Sequence, residues 1–107
     1  MPVRVLAPCV AMLTILGLCS CAHHTRSART EMVTRGQQVY VRECQACHGA
    51  RGSGTQIGPS LRNERLRRTY ASVRSIVGDP QPPMPKLFPS RMTQNEVDEV
   101  SAYVESL

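Results

Sequence analysis

Five consecutive residues, Cys44-Gln45-Ala46-Cys47-His48, leave this chain few choices. Thiols at positions i and i+3 lie on the same side of a helical turn, so both can reach two vinyl groups on one edge of a porphyrin. A histidine placed directly after the second thiol then carries its imidazole beneath the metal, with the tether fixing its approach. Cys-x-x-Cys spacing also serves disulfides, redox dithiols and zinc sites. A thioredoxin-like dithiol requires a strand-to-helix junction within a βαβ pattern, and no such pattern is present. Zinc requires two more Cys or His at finger-like spacing, and none follows His48. The motif therefore points to one covalent haem c, with Cys44 and Cys47 as attachment points and His48 as an axial ligand of its iron.

The rest of the chain is consistent with a cofactor-dependent fold. Its 107 residues allow one domain, and with no Trp and a single Phe it has few large side chains for a core. Domains this small commonly need a metal, a disulfide or a cofactor to offset the entropy of folding. Cysteine usage gives no disulfide framework: Cys9, Cys19 and Cys21 fall at the N-terminus, leaving only Cys44 and Cys47 in the folded part.

Residues 1–20 read as a secretion signal, with one charge at Arg4 and then an uncharged apolar stretch from Val5 to Leu18. That stretch is shorter than the roughly 20 residues a membrane helix needs, and Pro8 argues against a buried helix. Leu18-Cys19-Ser20-Cys21 resembles the bacterial lipobox, which makes Cys21 the lipidated new N-terminus; cleavage beside Ser20 and Ala22, releasing a soluble protein, is the rival. Residues 21–30 then form a polar, flexible tether, in which His23 and His24 are solvated, and residues 31–107 form the domain. Loss of Arg4 lowers the net charge from +5 to +4, too mild and too poor in interleaved aromatics for nucleic-acid binding.

A first helix is predicted from Glu31 to Gln45, where Met32, Val33, Gly36, Val39, Tyr40 and Cys44 recur at steps of three and four. Gly36 costs about 1 kcal/mol of helix propensity relative to Ala, which suggests close contact with another backbone. Gly49 to Ser60 must be loop, Leu61 to Arg68 a short basic helical piece, and Tyr70 to Val77 a helix capped by Thr69. Five prolines between Asp79 and Pro89 exclude helix and central strand there. The last helix runs from Gln94 to Leu107. Thr93 and Glu96 form its capping box, Met92 and Val97 a hydrophobic staple, and Val97, Val100, Tyr103, Val104 and Leu107 its apolar face. Nothing alternates at period two, so the fold class is all-α, with few helices and long loops.

From Gly36 to Leu107 the chain resembles the small class I, single-haem cytochrome c family. GQQVYVRECQACHG, IGPSL, a Met-Pro in a proline-rich loop and TQNEVDEVSAYVESL follow in the family's order. The resemblance implies a cytochrome c-like fold wrapped around one haem. It also implies that Met84 supplies a thioether as the second axial ligand; Met92 is the competitor, better explained by packing beside the capping box. The Pro59 carbonyl is implied as the acceptor of the His48 Nδ1 proton, Leu61 as a packing surface for the porphyrin, and Gly36, Tyr40 and Tyr103 as the crossing of the terminal helices.

With both axial positions filled, the iron is limited to one-electron exchange, so a carrier between protein partners is expected rather than an enzyme with a small-molecule substrate. The basic residues Arg62, Arg65, Arg67, Arg68 and Arg74 form a candidate docking region for an acidic redox partner, on the periplasmic side of a bacterial membrane. The alternatives are a haem peroxidase or gas sensor with a labile Met ligand, and a small cytochrome subunit of a larger oxidoreductase complex.

Overall fold

The computed structural model describes residues 15–107, with side chains from residue 24 onward. The secretion-signal reading of residues 1–20 falls largely outside the described residues, as does the side chain of Cys21. Four helices follow in order, α1 (Ile15–Glu43), α2 (Gln45–His48), α3 (Tyr70–Gly78) and α4 (Gln94–Ser106), with 3₁₀ turns at Ala50–Gly52 and Glu64–Leu66. The described residues contain no strand, and the all-α fold class stands.

Helix α1 is longer than the Glu31 start predicted from its apolar stripe. Residues 21–30 are helical rather than irregular, for local and tertiary reasons. Ala28, Arg26 and Arg29 favour helix, and no Pro or Gly interrupts the run between Leu18 and Arg35. The Thr30 and Thr34 hydroxyls donate to the carbonyls of Arg26 and Thr30, four residues back, at 3.0 and 2.9 Å. Arg29 then reaches Glu105 of α4 at 3.2 Å, and Arg35 reaches Glu99 at 2.6 Å. These last two pairs dock a polar stretch that has no apolar stripe of its own.

Helices α1 and α4 cross at Gly36. A Cβ there would overlap the Glu99 carbonyl and sit 3.0 Å from Cβ of Tyr103. The Tyr40 and Tyr103 rings lie beside the crossing, with centroids 5.2 Å apart and planes tilted by 54°, a favourable offset for aromatic quadrupoles. The core grows outward from this contact through Val39, Tyr40, Val97, Val100, Tyr103 and Val104, and takes in Val73 and Val77 of α3 together with Leu87 and Met92.

Both later helices begin where local chemistry predicts. Ser72 N–H donates to Oγ1 of Thr69 at 3.2 Å. Thr93 and Glu96 make both halves of a capping box, at 3.2 and 2.8 Å. The Thr93 amide and the Arg42 guanidinium hold the Glu96 carboxyl below its ordinary pKa. On α3 the apolar face is narrower than the sequence suggests: Val73 and Val77 are buried, whereas Ile76 is exposed. The basic piece after Leu61 shrinks to the single turn Glu64–Leu66, because Asn63 adopts a left-handed conformation and Glu64 turns inward to meet Arg67 at 2.6 Å.

The crossing yields a prediction whose sign opposes helix propensity. Gly36→Ala gains about 1 kcal/mol of intrinsic helicity, but a backbone carbonyl must move to admit the methyl group, and overpacking of that kind costs about 1–3 kcal/mol or more. Because the overlap is with backbone, the upper end applies, and net destabilisation of about 2 kcal/mol is expected in denaturant unfolding of the protein. An unchanged or raised midpoint would show that α1 and α4 do not touch at this position.

Candidate functional site

Residues 44–48 are folded as one turn hung on a single carbonyl. Helix α1 stops at Glu43, and the Cys44 carbonyl accepts from the amides of both Cys47, at 3.2 Å, and His48, at 3.0 Å. The two thiols are unpaired and half-buried. Burial, reinforced by the neighbouring Glu43 carboxylate, pushes the Cys44 thiol up to about 11. That thiol is neutral at neutral pH, the opposite of what a catalytic dithiol achieves with its attacking cysteine.

The turn is locked to the rest of the molecule from two sides. Tyr40, fully buried on α1, donates from its hydroxyl to the Gly49 carbonyl at 2.8 Å. On the other side the loop from Gly54 to Ser60 folds back over the motif. Gly54 N–H donates to the His48 carbonyl at 2.6 Å. Thr55 Oγ1 donates to the Cys47 carbonyl at 2.5 Å and accepts from the amides of Ile57 and Gly58 at 3.0 and 3.3 Å. Gly58 is pressed so close that a Cβ would lie 2.7 Å from the Cys47 carbonyl oxygen and 3.1 Å from Nδ1 of His48.

This loop brings the Pro59 carbonyl to 2.9 Å from Nδ1 of His48. A carbonyl only accepts, so the partner assigns the proton to Nδ1 and leaves the Nε2 lone pair for a metal. Thr55 and Gly58 were not singled out in the sequence. A threonine three residues before a Gly-Pro pair is a side-chain turn signal, but only the folded loop shows what it holds.

The remaining candidates are distributed around this turn. Met92 is 2% exposed and belongs to the packed core, whereas Met84 is half-buried in the proline-rich loop, its amide donating to the Gln81 carbonyl at 3.2 Å. Leu61 is partly buried against the core beside Leu107 and Gly52. Large apolar side chains are left facing solvent nearby in sequence, Ile57 at 73% and Leu66 at 77% exposure. The basic region is partly compensated: Arg67 and Arg68 gather on Glu64 at 2.6 and 3.7 Å, and Arg74 pairs with Asp98 at 2.5 Å. Arg62 and Arg65 have no carboxylate partner among the described residues, nor does Arg51, whose carbonyl accepts from Arg62 at 3.5 Å.

Two buried carboxylates escaped the sequence reading. The side chains of Glu43 and Glu64 are 4% and 8% exposed. Acidic residues are usually solvated, and nothing local marks these two as exceptions.

These residues fit a covalently held haem. Two free thiols share one turn, an oriented imidazole has its outer nitrogen available, and aliphatic side chains lack an apolar partner. The family described as cytochrome c oxidase, cbb3-type, subunit III matches residues 31–104. A curated relative, a cytochrome c-553-like protein of Synechocystis sp., is 31% identical over 74 residues, which cover 68% of this chain and 67% of the relative. No solved structure matches. On the extent of these matches the chain belongs to the family of small single-haem c-type cytochromes, which are haem c electron carriers.

Proposed function

We propose that the protein passes single electrons between redox proteins, using one haem c thioether-linked through Cys44 and Cys47 and ligated by His48 and Met84. The observation that carries this reading is the His48–Pro59 hydrogen bond on the same turn as two unpaired thiols. The bond fixes the tautomer and orientation that metal ligation requires, and it strengthens the imidazole as a donor. When bound, the group supplies reversible Fe(III)/Fe(II) exchange, at a potential raised by thioether relative to bis-imidazole ligation.

The chain's own residues do the rest. Thr55 and Gly58 hold the proximal side, Leu61 offers an apolar wall, and the prolines around Met84 restrict its backbone so that one thioether is presented at a defined place. Met92 is unsuited to the role, since its withdrawal would open the core. Among the described residues no helix is long and apolar enough to cross a membrane. Acylation at Cys21 on the periplasmic side of a bacterial membrane is the attachment we propose. The matching family's description as an oxidase subunit also favours a second setting, a small cytochrome subunit within a larger oxidase complex. Partners are redox proteins in either case.

Three measurements test these statements. Mass spectrometry of the protein from its host is expected to show one haem that survives acid-acetone extraction, together with an acyl mass on Cys21. Loss of all colour on extraction defeats the proposal, and absence of the acyl group leaves a soluble carrier.

Carbon monoxide is expected to bind poorly to the reduced wild type and readily to Met84→Ala. Ligation unchanged in that variant would transfer the role to Met92, and ready binding by the wild type would favour a sensor or peroxidase.

Electron transfer to an acidic partner should slow by about tenfold from low to physiological ionic strength. Replacing Arg62 and Arg65 should flatten that slope more than replacing Arg74, which Asp98 already neutralises. A salt-independent wild-type rate removes the docking role.

A further inference from the structure

Glu43 is the last residue of α1, immediately before the attachment turn, and its side chain is 4% exposed. A carboxylate is expensive to keep out of water and persists only where it is paired. Two guanidinium groups converge on it. Arg42 Nε donates to Oε1 at 2.9 Å. Arg91 places Nη2 2.9 Å from Oε2, held by charge rather than by a well-aligned hydrogen bond.

Arg91 lies far along the chain, at the C-terminal base of the proline-rich loop. There its amide and that of Met92 both donate to the Leu87 carbonyl, at 2.7 and 3.2 Å, closing residues 87–92 into one turn. Met92 is sunk in the core next to it. The base of the loop is therefore fastened by Leu87 and Met92 to the core and by Arg91 to the end of α1. Across its neck the pair between Lys86 and Asp79 is 58% and 73% exposed, and such solvated pairs contribute little. Prolines take five of the ten positions from 80 to 89 and so remove half of the amide donors there, which leaves side-chain anchors to hold Met84 in register with the turn at Cys44 to His48.

We propose that Glu43 is a positioning residue for the second axial ligand: through Arg91 it ties the base of the Met84 loop to the helix that ends in the haem attachment turn. The inference rests on the reading of Met84 as an iron ligand. Without the tie the loop opens more often, and an exogenous ligand competing with the thioether gains apparent affinity in proportion to the open fraction.

The test uses the holoprotein with covalent haem. Two readouts are taken on wild type, Glu43→Gln, Arg91→Leu, Arg91→Lys, Met84→Ala and Arg29→Ala. One is the apparent Kd of carbon monoxide for the reduced form. The other is the temperature at which the ferric form loses its far-red thioether-to-iron absorption, compared with global unfolding by far-ultraviolet circular dichroism.

Glu43→Gln and Arg91→Leu are expected to tighten carbon monoxide binding roughly five- to tenfold, as befits a pair with one buried and one solvated member. In both, the far-red band should vanish well below the unfolding temperature. Arg91→Lys should stay close to wild type, and so should Arg29→Ala, which breaks an ion pair elsewhere on α1. Unchanged carbon monoxide affinity, band loss that coincides with unfolding, or an equal effect of Arg29→Ala overturns the inference. If Glu43→Gln yields no holoprotein, the contrast between Arg91→Leu and Arg91→Lys decides. A wild type without the far-red band, or Met84→Ala that keeps it, defeats the ligand reading itself. A band abolished by Met84→Ala but indifferent to Glu43 and Arg91 defeats the positioning role alone.

Discussion

The contact between α1 and α4 at Gly36 is the constraint on which the other parts depend. A glycine in a helix is a liability unless the missing side chain is used, and here it lets the Glu99 carbonyl rest against the α1 backbone. Tyr40 follows one turn later, its ring tilted against that of Tyr103, and its hydroxyl reaches the Gly49 carbonyl just past the turn at Cys44 to His48. A chain of rigid contacts thus runs from the helix crossing to the turn bearing Cys44, Cys47 and His48. A shift of α4 relative to α1 would be transmitted directly to the imidazole.

How much of this could be read from the sequence depended on how local each interaction is. The capping box at Thr93 and Glu96 joins residues three apart, and the pattern alone is sufficient. The turn at Cys44 to His48 shows in the sequence for the same reason, because its five residues are contiguous. Gly36 is visible as an anomaly, a costly residue on an apolar stripe, although its partner, the Glu99 carbonyl, emerges only in the fold.

Interactions that join distant segments left no such mark. Residues 21–30 look irregular because they carry no apolar period, yet Arg29 and Arg35 dock this end of α1 against Glu105 and Glu99. Charge complementarity across 64 or more positions of sequence has no periodicity to detect. Glu43 and Glu64 are hidden for a related reason. Burial of a carboxylate is set by where the arginines Arg91, Arg67 and Arg68 arrive, and composition predicts only that acids are usually exposed. Even the basic cluster around Arg62 to Arg74 changes meaning in three dimensions, since the fold pairs three of its five arginines with the two carboxylates of Glu64 and Asp98 and leaves Arg62 and Arg65 exposed.

The two sides of the candidate iron site are held by different physics. On the His48 side, backbone carbonyls, the Thr55 hydroxyl and the Pro59 carbonyl form a short-range hydrogen-bonded mesh, each member of which restrains its neighbours. Opening it requires several bonds to break together. On the Met84 side the backbone is stiffened by proline but has fewer amide donors, and its attachments are Leu87 and Met92 in the core, one half-solvated ion pair and one exposed ion pair. Stiffness within such a loop fixes its shape without fixing its distance from the rest of the protein. In the proposed ligation the imidazole is thereby the more firmly held ligand and the thioether the more readily released, and the strength of that second bond would be decided less by the loop's own sequence than by what fastens its ends.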